Sequence, residues 1–286
     1  MHFAHLLVAA ALFGGAQLGT DQTLGPRVPA TPPLPRSVAS PVMARRMGID
    51  GQRIQITTDD KRTLVGSYYA PKDSKKLAPA GLLAPAALLV PDAGGKRGDL
   101  AELADRLQKQ GFAVLSIDVR AHGDSVGADK PWAELNDADK LATWHLALGD
   151  IKAAVKFLGA QAGVQTTNVS LLGSRAGCTL VTRHAKEDEN VHSVVMVDPP
   201  STETFGFNLE RDVASLGSLP TLIAVTNATK STADDLAKIG EKANNGTQFI
   251  EIALFKGVST SPVVDKDLPK KIANFMDSKA NKKKGD

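Results

Sequence analysis

Residues 171–178 read LLGSRAGC, and this short stretch decides the predicted fold. An apolar, strand-like run ends at Gly173, and a helix of small residues follows Gly177. Glycine permits backbone angles and close approaches that other residues resist, so two glycines at this spacing predict a sharp strand-to-helix turn. Arg175 stands at the tip of that turn, with Ser174 directly before it.

Strand-like and helix-like segments alternate along the rest of the chain. Residues 53–70 form two alternating runs around DDKR, which predicts a β-hairpin. Six further runs are almost wholly apolar, which is typical of strands buried on both faces: PAALLV, FAVLSIDVR, NVSLLGS, HSVVMV, LPTLIAV and FIEIALF. Amphipathic segments separate them, and residues 137–161 read as one long helix. The pattern predicts an α/β domain with a doubly wound, mostly parallel sheet of about eight strands, an N-terminal antiparallel hairpin and a minimal lid.

The two ends of the chain differ from this domain. Residues 1–19 contain an apolar run followed by small residues, which predicts a signal peptide, although no Lys or Arg precedes the run. A frayed N-terminal helix is the alternative. Residues 20–46 read as a proline-rich spacer, residues 47–278 as the folded domain and residues 279–286 as a charged tail. We therefore expect a secreted or periplasmic protein with no membrane span after the signal peptide is removed.

Composition excludes several classes of function. The net charge is +3, from 34 basic and 31 acidic residues, and aromatic residues make up 5% of the chain. A small net charge and few aromatic rings argue against nucleic-acid binding. The single cysteine, Cys178, excludes an intramolecular disulfide and a cysteine-based metal site, and it reads as a small buried thiol. Neither a metal nor a cofactor is predicted.

Two long segments carry a resemblance to a known family. They are LLVPDAGGKRGDLAELADRLQKQGFAVLSIDVRAHGDS, residues 88–125, and GDIKAAVKFLGAQAGVQTTNVSLLGSRAG, residues 149–177. Together with the order of elements from about residue 52 to 278, they resemble the α/β-hydrolase fold family. The likeness is greatest to small hydrolases related to dienelactone hydrolase and the serine aminopeptidases.

The resemblance implies a catalytic triad, and this chain departs from it at each position. The nucleophile position falls on Arg175, whose guanidinium stays protonated and cannot attack a carbonyl. The position of the acid falls on Thr229. The position of the histidine falls on Thr260, or on Ser259 in a shifted register, and no histidine follows His192. The triad is therefore predicted to be degenerate, because a serine without a general base is a weak nucleophile.

Other residues keep two readings open. Ser174 is the nucleophile only if the turn is shifted by one residue, and otherwise its side chain points into the packing. Asp198 follows a strand, at an alternative acid position, but the residues favour a role in capping its own loop. The histidines within the domain read as structural or solvated: His122, His145, His184 and His192.

The same turn suggests an anion-binding corner. The resemblance places the backbone N–H groups of Ala93 and Ala176 where hydrolases bind an oxyanion. Arg175 at the helix N-terminus would add positive charge and favour a small anionic ligand. In the alternative reading, Arg175 pairs with Asp92 or Asp198 and fills the site.

Three functional hypotheses follow from these residues. The first is a secreted hydrolase-fold protein without catalytic activity that binds a ligand, such as a small anion, or acts as a scaffold. The second is a serine hydrolase of esters or peptides with a rearranged site around Ser174. The third is an interaction protein of the cell envelope, whose partner the sequence does not identify.

Overall fold

The protein folds around one large mixed sheet. A computed structural model describes residues 51–71, 83–201, 203–256 and 265–282. The predicted signal peptide, the proline-rich spacer and the last residues of the charged tail lie outside these ranges, and so do Ser259 and Thr260.

Within the described residues the sheet has eight strands, in the order β1-β2-β4-β3-β5-β6-β7-β8. Their bounds are β1 Gln52–Thr57, β2 Thr63–Tyr69, β3 Ala84–Val90, β4 Ala113–Asp118, β5 Val164–Ser174, β6 Val191–Val197, β7 Thr221–Val225 and β8 Ile250–Leu254. β2 pairs antiparallel with β1 and with β4, and every other pairing is parallel. The predicted α/β class, with its N-terminal hairpin and mostly parallel sheet, is confirmed.

Helices cover both faces of this sheet. They are α1 Ala101–Lys109, α2 Asp137–Leu146, α3 Leu148–Gly159, α4 Gly177–Ala185, α5 Leu209–Ala214, α6 Lys230–Ala243 and α7 Leu268–Lys282. Leu103 of α1 and Ile272 of α7 pack on one face, while Trp144, Ile151 and Leu180 belong to the core of the other face.

Strand β3 shows why the central strands read as apolar throughout. Leu88 and Val90 enter one core, and Ala87 and Leu89 enter the other, all four without solvent exposure. Successive side chains of a strand point to opposite faces, so a strand between two helical layers needs apolar residues at every position.

The segment predicted as one long helix is two helices. α2 ends at Leu146 and α3 begins at Leu148. The break lets α2 direct Trp144 into a cluster of aromatic rings, while Asp150 near the start of α3 accepts hydrogen bonds from the backbone and guanidinium of Arg120. Helical periodicity alone does not reveal these separate tertiary contacts.

The last helix is longer than predicted. α7 extends to Lys282, past the domain boundary placed at residue 278. Lys and Ala are good helix formers, and no Gly or Pro interrupts the sequence between residue 278 and Gly285. The helix therefore continues into the charged residues that follow residue 278.

A turn after β4 joins the hairpin to the sheet. The buried carboxylate of Asp118 accepts hydrogen bonds from the backbone N–H groups of Arg97 and Asp124 and forms an ion pair with the Arg97 guanidinium. The Ser125 hydroxyl donates to the Asp118 carbonyl and accepts from the N–H of Val65 in β2. The Asp118 carboxylate thus holds the turn and the loop after β3, while the Asp118 backbone carbonyl holds the hairpin through Ser125.

Gly123 is required in this turn, and Gly127 provides a matched control. Both glycines have positive φ, but a Cβ at Gly123 would lie 2.3 Å from Asp118 Oδ2, and one at Gly127 would meet nothing within 4 Å. Gly127→Ala should cost about 1–2 kcal/mol for the left-handed backbone alone. Gly123→Ala should cost about 1–3 kcal/mol more, because the methyl group collides with a buried carboxylate. Urea unfolding of the full chain, followed by circular dichroism, measures both; equal losses would contradict the role assigned to Asp118.

Candidate functional site

The sheet register brings three loops together at the carboxyl ends of the strands. Val90 of β3 pairs with Gly173 of β5, and Ser174 of β5 pairs with Val197 of β6. The chain leaves all three strands at the same edge, so the loops after β3, β5 and β6 become neighbours. Ligands of parallel sheets bind at this edge.

The predicted turn is present, with Arg175 at its tip. Arg175 has a φ of +50°, and its N–H donates to the carbonyl of Val197. A Cβ at Gly173 would lie 2.6 Å from the backbone of Cys178, and one at Gly177 would lie 2.4 Å from the carbonyl oxygen of Pro91. Both glycines are therefore needed for the close approach of helix α4 to β3 and β5.

Asp92 joins the loop after β3 to this turn. Its Oδ1 accepts hydrogen bonds from Ala93 N at 2.8 Å and from Ala176 N at 3.0 Å. Its Oδ2 lies 2.9 Å from Nε of Arg175. The carboxylate of the chain itself stands where a hydrolase would bind the oxyanion of its substrate.

This geometry bears on the two readings of Arg175. Ala93, Ala176 and Arg175 do converge on one negative group, but that group is Asp92. The structure shows the pairing of Arg175 with Asp92 that the alternative reading names. An anionic ligand at Ala93 and Ala176 would have to displace this carboxylate.

The two predicted acid positions touch each other. Thr229, at the end of a short 3₁₀ helix (Asn227–Thr229), donates a hydrogen bond from its hydroxyl to the carboxylate of Asp198. Asp198 follows β6 with a φ of +52°, and its N–H donates to the carbonyl of Ala224. Thr260 and Ser259, at the predicted histidine position, lie outside the described residues.

The buried His122 has a structural role. Its Nε2 accepts a hydrogen bond from the N–H of Gly94, so Nδ1 carries the proton and donates to the carbonyl of Arg120. Burial lowers the pKa of this imidazole, which favours the neutral form that these two bonds require. With both ring nitrogens used, His122 positions the loop that carries Asp92.

The remaining histidines lie in other settings. His145 stacks on Phe207, and His184 forms a hydrogen bond with Asp188. His192 is buried within β6. In the part of the chain that the structure describes, no imidazole lines the cavities around Arg175.

Ser174 is 4% exposed. It borders a small cavity of about 240 Å³ that also contacts Gly94, Asp99 and Arg175. Cys178 is wholly buried, its thiol donates to the carbonyl of Gly173, and burial raises its pKa, as expected for an inert thiol.

A larger cleft lies on the other side of Arg175. It encloses about 440 Å³ between the loops after β3, β5 and β6. Asp92, Asp198 and Thr229 line its polar part, and Phe205 with Pro199 lines its apolar part. The volume is within the usual range for small-molecule sites.

The described ranges contain neither a group of potential metal ligands nor a helix that could span a membrane. Across residues 51–71, 83–201, 203–256 and 265–282, no three His, Cys, Asp or Glu side chains are grouped as metal ligands. Among those same residues, no helix is both long and apolar enough for a transmembrane segment.

The sequence itself matches a family profile. Residues 74–273 match the dienelactone hydrolase family. The chain belongs to this family. A comparison with curated proteins finds no match.

Solved structures share the fold of this dienelactone hydrolase family member at low identity. DcsB, solved with its substrate analogue, has a TM-score of 0.64 at 15% identity, covering 80% of this chain and 98% of its own. The Pyrococcus furiosus esterase Pf2001 has a TM-score of 0.60 at 17% identity, with 80% and 90% coverage. A dienelactone hydrolase from Anabaena variabilis has a TM-score of 0.58 at 16% identity, with 80% and 99% coverage. Likeness at this identity establishes the α/β-hydrolase fold.

Sequence reasoning missed two features of this dienelactone hydrolase relative. It named Asp92 only as a partner for Arg175, and it did not foresee the hydrogen bonds from Ala93 and Ala176. An Asp followed by Ala-Gly-Gly is a local signal for such a bond, since Asp side chains often accept from nearby N–H groups. The contact between Thr229 and Asp198 has no signal in the sequence.

Asp92 should matter more for stability than Arg175. Arg175→Met removes an ion pair that is half exposed, with side chains 49% and 32% accessible, and should cost no more than about 1 kcal/mol. Asp92→Ala also leaves two backbone N–H groups without their acceptor and should cost about 1–3 kcal/mol. Urea unfolding of the two variants and the double mutant measures the difference. A larger loss for Arg175→Met would show that the ion pair, and not the pair of N–H groups, holds the loop.

Proposed function

We propose that this member of the dienelactone hydrolase family binds a ligand in its cleft and does not hydrolyse esters or peptides. One observation carries the proposal: the Asp92 carboxylate accepts from the N–H groups of both Ala93 and Ala176 and pairs with Arg175 at the nucleophile position. The site is occupied by the chain itself.

The charge of Asp92 opposes hydrolysis at this site. Acyl transfer develops negative charge on the carbonyl oxygen, and donors such as Ala93 N–H and Ala176 N–H must face that oxygen. A carboxylate already bound there repels the charge and uses the donors. Losing one oxyanion donor typically costs about 10²–10³ in kcat, and losing a general base costs about 10²–10⁴.

A serine hydrolase is the second candidate. The family match favours it, because dienelactone hydrolases and the related esterases are hydrolytic enzymes. Ser174 also borders a cavity next to Arg175. This candidate lacks a base, since the chain has no histidine after His192 and Nε2 of His122 already accepts from Gly94.

Labelling with a fluorophosphonate probe separates the two candidates. We expect no labelling of the full chain and no turnover of p-nitrophenyl acetate, because the described residues provide Ser174 with neither a histidine base nor an open oxyanion site. Ser174→Ala is the test variant, and Ser201→Ala is the matched control, since Ser201 lines the cleft but lies outside the turn. In-gel fluorescence and release of p-nitrophenol are the readouts.

Labelling that survives Ser201→Ala but disappears in Ser174→Ala would establish the serine hydrolase instead. Labelling that persists in both variants points to a surface serine and leaves Ser174 without a catalytic role.

We also propose that the protein acts outside the cytoplasm. The support is the apolar run within residues 1–19 and the proline-rich residues 20–46 after it. In an exported setting the cleft would serve as a binding or scaffold site, including the role of a cell-envelope interaction protein.

Export is tested on the full-length chain in a secreting bacterial host. We expect the protein in the periplasm or medium, with an intact mass reduced by a leader of roughly twenty residues. A variant with Leu7→Arg and Ala10→Arg, which interrupts the apolar run, should stay in the cytoplasm at full mass. Full-length wild-type protein confined to the cytoplasm would refute the proposal.

A further inference from the structure

The charges that line the cleft define the kind of ligand it suits. In the described part of the chain, the ionisable residues lining the 440 Å³ cavity are Asp92, Arg175 and Asp198. Arg175 and Asp92 neutralise each other at 2.9 Å. Asp198 is left as the charge of the cavity, and its partner among the described residues is the neutral hydroxyl of Thr229.

A second depression continues the cleft and has the same sign of charge. It encloses about 230 Å³ and shares Pro200, Ser201 and Thr232 with the cleft. Its ionisable lining residues within the described ranges are Glu203, Glu210 and Asp235. Lys238 lies 3.6 Å from Asp235, but this pair is highly exposed on both sides. Fields from like charges along a cleft add, so anions are repelled and cations are attracted.

The cleft also has an apolar lining, which packs on aromatic residues of the core. Phe205 lines the cavity with Pro199 and Pro200. The Phe205 ring packs edge-on against Trp132, with centroids 5.1 Å apart, and also contacts Trp144. An aromatic ring and aliphatic proline rings that line the same cavity as a carboxylate suit a cation that carries a hydrocarbon body.

We propose that the cleft binds a small organic cation, an alkylammonium whose charge pairs with Asp198 and whose hydrocarbon body packs against Phe205. This inference deepens the proposed function, on which it rests, and it reverses the sign of the ligand expected from the sequence. The sequence placed Arg175 and two N–H groups at an open corner. The structure assigns all three to Asp92 and leaves Asp198 to face the ligand.

The test compares two probes of equal length and opposite charge on the full chain. Isothermal titration calorimetry should detect saturable binding of n-hexylammonium and none of n-hexanoate at matched ionic strength. Binding should weaken with added salt, because an ammonium–carboxylate pair is screened.

Variants locate the binding site. Asp198→Asn removes the charge, and Asn tolerates the positive φ of this position, so the fold should be kept. It should weaken n-hexylammonium binding by about tenfold or more. Asp234→Asn is the matched control, since Asp234 is an acid of α6 that pairs with Lys230 and does not line either cavity. It should leave the affinity unchanged.

Three outcomes would each overturn the inference. They are a preference for n-hexanoate, no binding of either probe, and unchanged n-hexylammonium binding in Asp198→Asn. If Asp198→Asn does not fold, the comparison of the two probes on the wild type still decides the sign of the charge. Hydrolytic activity, which would contradict the proposed function, is detected separately. It appears as fluorophosphonate labelling of Ser174, whether or not n-hexylammonium or n-hexanoate binds.

Discussion

The candidate site depends on one carboxylate. Asp92 accepts from Ala93 N and Ala176 N and pairs with Arg175, so it connects the loop after β3 to the turn after β5. The ion pair contributes no more than about 1 kcal/mol and the two hydrogen bonds about 1–3 kcal/mol, but together they fix the position of the turn relative to the loop. The same contacts use the groups that would stabilise an oxyanion. Asp92 thus supports the turn and at the same time engages both N–H groups.

The scaffold around this carboxylate is that of a hydrolase. Gly173 and Gly177 still allow α4 to approach the sheet closely, and the turn still places a residue with positive φ at its tip. His122 still holds the loop after β3 through Gly94. These features maintain the packing whatever residue stands at the tip, so the family fold persists with an arginine there. The fold by itself therefore does not establish an activity.

The pairing of Arg175 with Asp92 also affects the electrostatics of the cleft. Because the guanidinium pairs with Asp92, Asp198 is the other ionisable residue that lines the cavity among the described residues, and the adjoining depression adds further carboxylates. The aromatic part of the cleft comes from Phe205, which is only seven positions after Asp198 in the sequence. A short segment after β6 therefore supplies both the charge and the apolar wall.

The sequence by itself determined the alternation of strands and helices, the glycine-framed turn and the absence of a histidine after His192, because these follow from local periodicity, backbone preference and residue identity. The helical periodicity predicted one long helix where the structure has α2 and α3. The break depends on Trp144 and Asp150, which contact residues on other elements. Only the tertiary structure decided that Arg175 pairs with Asp92 rather than Asp198. Ala176 and Asp92 are 84 positions apart, and the parallel pairing of β3 with β5 brings them together. A contact of that kind depends on strand order and register, which no local pattern encodes.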